Sequence, residues 1–488
     1  MARDPGTSRS QMGRLFHYAN NLITVFGAIL TTISAVSIII FMIADLITGL
    51  KNPYTAILSY AILPGLFVLG LLAIPIGIWL RRRRLIASGA ALEDLDRYPR
   101  LNFNDPRLRH LAVIVIGLTA INVVIFGTSS YLAIEYMESV PFCGAVCHTV
   151  MKPEYTAYQG SPHSRVKCVE CHIGPGAPWF VRSKIDGLRQ VWNTVLDTYP
   201  RPIPTPIHDL RPARATCEQC HWPEAHHGDK LSVFARCETD EASTPSYSVM
   251  LLKTGGGSLD LGRHGGIHWW HIYSDNRIRY LAGDERRQKI VWVELITPKG
   301  EVRTYTRDGY KPPPPAELER KARLMDCIDC HDRPTHLFSP PWYSLDDALE
   351  NRPQLRKLPY FKREGLRAID GDYPTHATGV ETSRQTILDF YRSKYPKLAS
   401  QQSKLLETAA DTVADVYGRS VFPEMKVTWK THPNNLDHEN FPACFRCHDD
   451  EMATANQEHV IAQDCDLCHV FLVEDSATKP DLTLLSED

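Results

Sequence analysis

Residues Cys143 to His172 read CGAVCHTVMKPEYTAYQGSPHSRVKCVECH. This stretch holds two pairs of cysteines, each followed at once by histidine, with C-x-x-x-C-H spacing at Cys143 and C-x-x-C-H spacing at Cys168. Four more C-x-x-C-H motifs follow along the chain. The six motifs are Cys143/Cys147/His148, Cys168/Cys171/His172, Cys217/Cys220/His221, Cys327/Cys330/His331, Cys444/Cys447/His448 and Cys465/Cys468/His469.

This repeated spacing has a chemical reason. Two thiols add to the two vinyl groups of one haem, and the adjacent histidine lies under the iron as its proximal ligand. Zinc sites and redox dithiols also use C-x-x-C, but neither requires a histidine after every second cysteine. The sequence therefore predicts six covalently attached haem c groups, with Cys237, the one cysteine of 13 outside the motifs, as a plain buried thiol.

The N-terminal third of the chain is apolar. Three runs, Leu22 to Leu50, Ala56 to Leu80 and Leu111 to Ile134, are each long enough to cross a bilayer core of roughly 30 Å as a helix. The first run is too long for a cleaved signal peptide. These runs predict a three-helix membrane domain over residues 21–137.

Positive charge fixes the expected orientation of these helices. The tail of residues 1–20 and the loop of residues 81–110 are rich in arginine, whereas the loop between the first two runs has only Lys51. By the positive-inside rule, the tail and the arginine-rich loop are cytoplasmic, and everything after the third helix lies in the periplasm of a bacterial inner membrane. The net charge of −2 offers no basic domain, so no nucleic-acid partner is expected.

The chain beyond the membrane domain is divided by its motifs. The expected segments are a first haem domain with three motifs at 138–235, a β insertion at 240–310, a segment with the fourth motif at 311–345, a helical spacer at 346–430 and a two-haem segment at 431–488. The strands expected in the insertion are Tyr247–Lys253, Ile267–Tyr273, Ile290–Ile296 and Val302–Thr306, because β-branched and aromatic residues alternate with turn signals there.

The fold class that these patterns predict is a membrane-anchored multihaem cytochrome c. Three N-terminal transmembrane helices precede a haem-dominated periplasmic domain of loops and short helices, with a small antiparallel β insertion. Apolar residues recur at helical spacing from Ser383 to Tyr417, which predicts a helix in the spacer.

Distal ligands for the irons must come from outside the motifs. The candidates are Met151, His163, His226 or His227, one of the cluster His264, His268 and His271 with His268 preferred, His336, His438 and His459. Met452 is a weaker candidate, for which core packing is the better interpretation. Ligation by two histidines leaves no open iron position, which suits electron transfer rather than substrate chemistry.

The residues around the first two motifs resemble a known family. The runs Cys143–Met151, Ser161–His163, Cys168–His172 and Lys184–Gly187 are similar to the NapC/NirT family of membrane quinol-oxidising cytochromes. That family has one membrane helix and typically four haems, and its first motif has two residues between the cysteines, not three. The larger plan of this chain resembles the ImcH-type inner-membrane cytochromes of metal-reducing bacteria.

This resemblance implies a function. It implies oxidation of menaquinol from the membrane quinone pool, with Lys184 and Asp186 beside the quinol at the bilayer surface and soluble periplasmic multihaem cytochromes as electron acceptors. Glu135 and Glu138 are rivals for the same proton-accepting role. Two alternatives stay open: an electron conduit or docking subunit without its own quinol site, and a terminal reductase with an exchangeable haem.

Overall fold

The chain divides into two compact units, Met1–Val146 and Cys147–Asp488. The computed structural model describes residues 19–48, 55, 58–88, 106–146, 148–207, 211–222, 228–256, 265–272 and 276–482. The division falls inside the first cysteine motif, nine positions after the expected end of the membrane domain.

The first unit consists of long apolar helices. Among the described residues, three stretches are long and apolar enough to cross a membrane, which confirms the predicted spans. A π-helical turn, Leu58–Ile62, leads into the second helix, which also contains Pro75. The helices are α1 (Leu22–Thr48), α2 (Leu63–Ala87) and α3 (Pro106–Met137).

Small residues let α1 and α2 pack closely. A Cβ atom on Gly27 would lie 2.8 Å from the carbonyl oxygen of Gly70, and one on Gly70 would lie 2.8 Å from the backbone nitrogen of Thr31. Phe67 of α2 is fully buried in the same contact region. Close approach of glycine-bearing helices is the usual way in which membrane helices gain van der Waals contact.

The second unit begins with mostly short helices, four of which contain residues of the cysteine motifs. Most are a single turn or two long because the motifs, loops and prolines interrupt regular structure. These helices are α4 (His148–Gln159), α5 (Cys168–His172), α6 (Ala177–Val195), α7 (Ala213–Cys217), α8 (Ile267–Ile272), α9 (Pro315–Lys321) and α10 (Cys327–Cys330). The four that contain motif residues are α4, α5, α7 and α10.

Two small antiparallel sheets lie between and around these helices. Their strands are β1 (Lys230–Cys237), β2 (Pro245–Leu252), β3 (Arg277–Ala282), β4 (Ile290–Ile296), β5 (Val302–Arg307), β6 (Arg323–Leu324), β9 (Met452–Ala453) and β10 (His469–Ser476), while β7 (Val421–Phe422) and β8 (Val427–Thr428) form a separate pair. The first sheet has the order β1-β2-β10, and the second has the order β6-β3-β4-β5-β9.

The outcome for the predicted strands is mixed. Three of the four predictions are confirmed, at β2, β4 and β5. The strand predicted from Ile267 is wrong, because its described residues form helix α8. The tryptophans and isoleucines of that stretch favour strands intrinsically, but tertiary context overrides such preferences.

The sheets also join distant parts of the chain. Strand β10 at the C-terminal end pairs with β2, and β9 pairs with β5. The backbone N–H of Lys253 donates to the carbonyl of Cys468 at 2.8 Å, beside the last motif. The expected β insertion and C-terminal segment are therefore interleaved.

The spacer has an ordinary apolar core. Its helices are α11 (Pro341–Asn351), α12 (Phe361–Ile369), α13 (His376–Lys394), α14 (Pro396–Gln401) and α15 (Ser403–Ser420). The single helix predicted from Ser383 to Tyr417 is broken at Pro396, since proline cannot continue the hydrogen-bond ladder. Leu345, Phe361 and Tyr391 are fully buried here. The predicted fold class, three membrane helices followed by short helices and small sheets, is confirmed.

Candidate functional site

Each described motif of the C-x-x-C-H type folds into a tight turn. The backbone N–H of His221 donates to the carbonyl of Cys217 at 2.8 Å, and His331 and His448 make the same bond within their motifs. A turn of this kind is helical, so positions i, i+3 and i+4 share one face. Both thiols and the imidazole of motifs two to five therefore emerge on the same side, which is what attachment to one haem requires. In motif six the turn covers Cys465–Leu467, and His469 begins strand β10.

The first motif has one residue more, and its backbone accommodates it. Residues Phe142–Val146 form a π-helical turn, whose hydrogen bonds run one residue further than those of an α-helix. The wider turn absorbs the third residue between the cysteines. Cys147 lies outside the described residues, so the structure gives the position of Cys143 but not of its partner thiol.

The two thiols of motif three differ in their surroundings. The sequence predicts equivalent roles for Cys217 and Cys220, yet Cys217 is half-buried and Cys220 is exposed. The physical reason is local: helix α7 ends at Cys217, and Cys220 lies in the turn beyond it, where its backbone N–H donates to the Cys217 carbonyl at 3.1 Å. Exposure of the thiol does not test haem attachment, so the role of Cys220 stays a prediction. Among the motif thiols that the structure describes, Cys171, Cys444 and Cys465 are also exposed.

Motifs two, three and four are neighbours in space. The Arg211 guanidinium donates to the carbonyl of Glu170 at 3.3 Å and to that of Ala215 at 3.1 Å, tying the second motif to the approach to the third. The thiols of Cys217 and Cys327, from motifs three and four, lie side by side.

Motifs four, five and six continue this arrangement. Arg446, inside motif five, donates from its guanidinium to the carbonyl of Asp329 inside motif four at 2.6 Å. The thiol of Cys444 in motif five lies beside that of Cys468 in motif six. Motifs two to six thus form one contiguous row in chain order.

Five motif histidines each face a second histidine. The ring centroids of these pairs are 6.0–6.3 Å apart. The pairs are His172 with His336, His221 with His163, His331 with His268, His448 with His271, and His469 with His438.

This separation fits an iron between the two rings. With metal–nitrogen bonds of about 2.0–2.1 Å and about 1.1 Å from the nitrogen to the ring centre, two imidazoles on opposite sides of one iron have centroids about 6.2 Å apart. Direct ring stacking or a hydrogen bond between imidazoles would not repeat this distance at interplanar angles from 20° to 74°. The side chains present therefore fit a haem at each of these five motifs.

Backbone carbonyls orient several of these rings. The Nδ1 atom of His336 lies 3.0 Å from the carbonyl oxygen of Glu154, and that of His271 lies 2.8 Å from the oxygen of Ile267. His448 makes the corresponding contact with Ala462 at 3.0 Å. When Nδ1 holds the proton for this bond, Nε2 is left with a free lone pair, the form in which imidazole binds a metal.

Burial also favours the neutral form of five histidines in these pairs. It lowers the pKa of His271 and that of His336 to about 4. It lowers the pKa of His172, of His331 and of His469 as well. Since the folded-state pKa lies below the ordinary value, these rings are unprotonated at neutral pH, and only the neutral form is a ligand.

Some predicted ligands have other surroundings. His459 is exposed, and its backbone N–H donates to the Thr454 hydroxyl at 3.2 Å. Met452 is completely buried in the core of the second sheet. Met151 lies on α4, within the turn that follows His148. His227, with His226 and His264, lies outside the described residues.

The two residues predicted for the quinol site lie on different faces of α6. Asp186 is 4.0 Å from the Arg182 guanidinium, one turn back along the helix. The Lys184 ammonium lies 4.7 Å from the centre of the Phe180 ring. Residues two positions apart on a helix do not face each other, so the structure does not bring this pair together.

Two features of the site are not evident from the motifs alone. The sequence predicts one ligand among His264, His268 and His271, whereas two of them face motif histidines. His268 pairs with His331, and His271 pairs with His448. The i, i+3 spacing of His268 and His271 is the sequence signal that could have indicated both. Asp329, between the cysteines of motif four, is buried and receives hydrogen bonds from the Tyr280 hydroxyl at 2.8 Å and the Arg323 guanidinium at 2.9 Å.

Known proteins share these features. The model of the NapC/NirT cytochrome c family, N-terminal region, matches residues 106–202. Over 472 residues the chain is 38% identical to the cytochrome c-type protein ImcH of Geobacter sulfurreducens, covering 96% of this chain and 91% of that protein. Over 113 residues it is 30% identical to the cytochrome c-type protein NrfH of Wolinella succinogenes, covering 22% of this chain and 62% of that protein. No solved structure matches the chain.

The extent of the match to ImcH goes well beyond the N-terminal family region and covers nearly the whole chain. Three apolar helices, the cysteine motifs and these relatives agree on one class of protein. The chain therefore belongs to the NapC/NirT cytochrome c family, as a membrane-anchored multihaem cytochrome with covalently bound haem c that works in electron transfer.

Proposed function

We propose that this chain is a menaquinol dehydrogenase of the bacterial inner membrane, which delivers electrons from the quinone pool to soluble periplasmic multihaem cytochromes. The observation that carries the proposal is the unbroken row of motifs two to six in a chain anchored by apolar helices. Haem c, when bound, accepts and donates single electrons at its iron. A row of such sites suits transport over a distance better than reaction at one centre.

Six haem c groups would be held by the six motifs, through twelve cysteines and six proximal histidines. We assign the distal positions of motifs two, three, four and six to His336, His163, His268 and His438, from the ring separations. Met151 remains the candidate for motif one. With both axial positions filled by histidine, these irons would offer no site for a substrate, which disfavours the terminal reductase.

Helix α6 supports a quinol site at the bilayer surface. No residue of this helix is buried, and one face is a stripe of exposed apolar side chains: Val181, Ile185, Leu188, Trp192 and Val195. Arg182 and Arg189 lie outside this stripe, on the polar side of the helix. A helix with this pattern lies in the plane of a membrane interface, with its apolar stripe towards the acyl chains.

Lys184 borders this stripe, because it shares a helix face with Leu188 one turn later. Oxidation of menaquinol to menaquinone releases two electrons and two protons. A basic or acidic side chain must therefore lie within about 2.6–3.2 Å of a quinol hydroxyl, directly or through one water. We propose Lys184 as the residue that contacts the quinol and Asp186, with Arg182, as its neighbour on the aqueous side.

Reduction of the purified chain by a menaquinol analogue tests this function. The full-length protein in lipid nanodiscs, without partner proteins, should be reduced by the quinol under anaerobic conditions, as followed by the absorbance of reduced haem. Pyridine haemochrome analysis of the same sample should give six haems per chain. Reduction that requires another membrane protein would instead establish the conduit or docking subunit.

A further inference from the structure

We infer that helix α8 supplies the distal ligands of two different haems, His268 at motif four and His271 at motif five. This inference rests on the proposed loading of both motifs. It gives His271 a definite role and leaves His459 without one at motif five.

The ring positions carry the inference. His271 and His448 have centroids 6.0 Å apart, and His268 and His331 have centroids 6.3 Å apart. Both separations suit two imidazoles on one iron. His268 and His271 are three positions apart on one helical turn, so they project from neighbouring points of the same face. One short helix therefore reaches two neighbouring motifs at once.

The backbone of α8 is held at its N-terminal end. The backbone N–H of Ile267 donates to the Lys253 carbonyl at 2.8 Å, and that of Trp269 donates to the Gly255 carbonyl at 3.1 Å. Gly266 has φ +92, and a Cβ there would lie 2.7 Å from backbone atoms of Gly255. This close approach needs glycine at position 266 and fixes α8 against the chain that leaves β2.

The other end of α8 is held equally well. The Arg214 guanidinium donates to the carbonyl of Ile272, and the buried Asn276 side chain donates to the Trp269 carbonyl at 2.7 Å. Arg214 lies three positions before Cys217, the first cysteine of motif three. The two imidazoles of α8 thus sit on a helix that Arg214, Asn276 and the residues just after β2 hold in place. Ligand residues with locked positions fix their metal.

The two motifs that α8 would serve are also joined directly. The Arg446 guanidinium of motif five donates to the Asp329 carbonyl of motif four, and Asn435 donates to the same carbonyl at 3.4 Å. Helix α8 on the distal side and these hydrogen bonds on the motif side would hold two neighbouring irons at a fixed separation.

Other residues compete for the distal position of motif five. Met452 packs in the core of the second sheet, near Cys447, and could reach the iron only by leaving that core. His459 is exposed, and Thr454 holds its backbone. Of these three side chains, His271 is the one that faces His448 at a separation that an iron would fill.

Spectroscopy of single variants tests the inference. In the full-length protein, His271→Ala should convert one low-spin haem to high spin in the electron paramagnetic resonance spectrum. His271→Met should instead give a methionine-ligated haem with a more positive reduction potential, because methionine raises the potential relative to histidine. Both variants should keep the wild-type number of haems.

Matched variants separate the alternatives. His459→Ala and Met452→Leu should leave all low-spin signals in place, and His268→Ala should convert a second, different haem. An unchanged low-spin spectrum in His271→Ala, or a high-spin signal in His459→Ala or Met452→Leu, would overturn the assignment. Mass analysis of the wild-type peptide around Cys444 and Cys447 shows whether motif five carries a haem. A peptide without haem would overturn the proposed loading of motif five, whereas a haem-bearing peptide with an unchanged spectrum in His271→Ala would overturn only the ligand assignment.

Discussion

Single hydrogen bonds to ring nitrogens decide how the histidines of this protein point. In His271, His336 and His448, a backbone carbonyl lies within 3.0 Å of Nδ1. Each bond fixes both the rotation of the ring and the nitrogen that is left for iron. Main-chain carbonyls therefore orient these three proposed ligands, and substitution of a neighbouring side chain leaves the carbonyls in place.

Lys184 is the residue whose change should affect quinol oxidation most. Lys184→Ala is expected to slow reduction by a menaquinol analogue at least tenfold, which corresponds to about 1.4 kcal/mol in the barrier. Haem content and reduction by dithionite should stay normal, because Lys184 lies outside the cysteine motifs and its ammonium packs over the Phe180 ring. Stopped-flow absorbance of the purified variant measures the rate.

Two further variants provide a charge control and a test of the neighbouring carboxylate. Arg189→Ala removes the same charge from the polar side of α6 and should oxidise quinol at the parental rate. Asp186→Asn should slow the reaction at least tenfold if the aqueous-side carboxylate takes up the protons. Parental rates for both Lys184→Ala and Asp186→Asn would exclude this pair and direct attention to Glu135 and Glu138.

Asp329 is the residue whose change should destabilise the region between motifs four and five. Asp329→Asn leaves the Arg323 and Arg287 guanidiniums without their buried counter-charge. Breaking a fully buried pair costs about 3–5 kcal/mol, and partial hydration of the two arginines lowers the expected loss of stability to about 2–3 kcal/mol. Thermal unfolding of the haem-loaded protein measures the loss.

The exposed Asp308 provides the control for that change. Asp308→Asn alters a turn residue at the surface, where substitutions usually change stability by less than about 0.5 kcal/mol. Equal unfolding temperatures for the two variants would mean that the Asp329 carboxylate contributes no more than a surface charge.

At the level of elements, the close packing of helices α1 and α2 depends on glycine. A side chain at Gly70 would meet Thr31 and the Gly27 carbonyl within 2.9 Å, so Gly70→Val should force the helices apart. Overpacking of this kind typically costs about 1–3 kcal/mol. A lower midpoint of thermal or detergent-induced unfolding should report it.

Gly117 of α3 is the matched comparison, because a Cβ there meets nothing within 4 Å in the described structure. Gly117→Val makes the same chemical change in a membrane helix and should leave the midpoint nearly unaltered. A loss as large as that of Gly70→Val would argue against the close contact of α1 and α2.

Helix α6 should be labelled by lipid on one face only. A photoreactive benzoylphenylalanine placed at Leu188, within the apolar stripe, should crosslink to lipid in nanodiscs, whereas one placed at Asn193 on the polar side should not. The reason is that the stripe is more than half exposed along its length and contacts no other described element extensively. Crosslinking from Asn193 but not from Leu188 would contradict the proposed position of α6 at the bilayer surface.

At the scale of the whole molecule, strands tie the last two motifs to the middle of the chain. Strand β10 begins at His469, the histidine of motif six, and pairs with β2. A truncation before Phe441 would remove an edge strand from each sheet as well as two motifs. We predict that electrons leave the protein at the C-terminal pair of motifs, five and six. Point variants in these motifs test this better than a deletion, because they leave both sheets intact.

The orientation of the chain in the membrane can be measured with reporter fusions. A periplasm-specific reporter at the C-terminus should be active, and the same reporter fused after Arg84 should be inactive, because arginine-rich loops stay in the cytoplasm. A cytoplasm-specific reporter should give the opposite pattern. Activity of the periplasmic reporter at Arg84 would invert the proposed topology and remove the argument for periplasmic acceptors.

The features of this protein that depend on local spacing can be predicted from its amino-acid sequence. A cysteine pair followed by histidine needs only one turn of chain to present its groups to haem, so the motifs can be recognised in the sequence without a structure. Membrane-spanning helices can also be recognised in the sequence, because a bilayer imposes a minimum length on any apolar helix that crosses it. Membership of the NapC/NirT cytochrome c family follows from the comparisons with known proteins.

Only the tertiary structure decided which residues meet across the chain. His336 lies next to His172 although more than 160 positions separate them, and no periodicity encodes such a pairing. The strand-favouring residues around His268 and His271 form a helix, because contacts with Gly255, Asn276 and Arg214 outweigh their intrinsic preference. Lys184 and Asp186, adjacent in a motif, are separated by the helical twist of 100° per residue, which becomes visible only once the segment is known to be a helix.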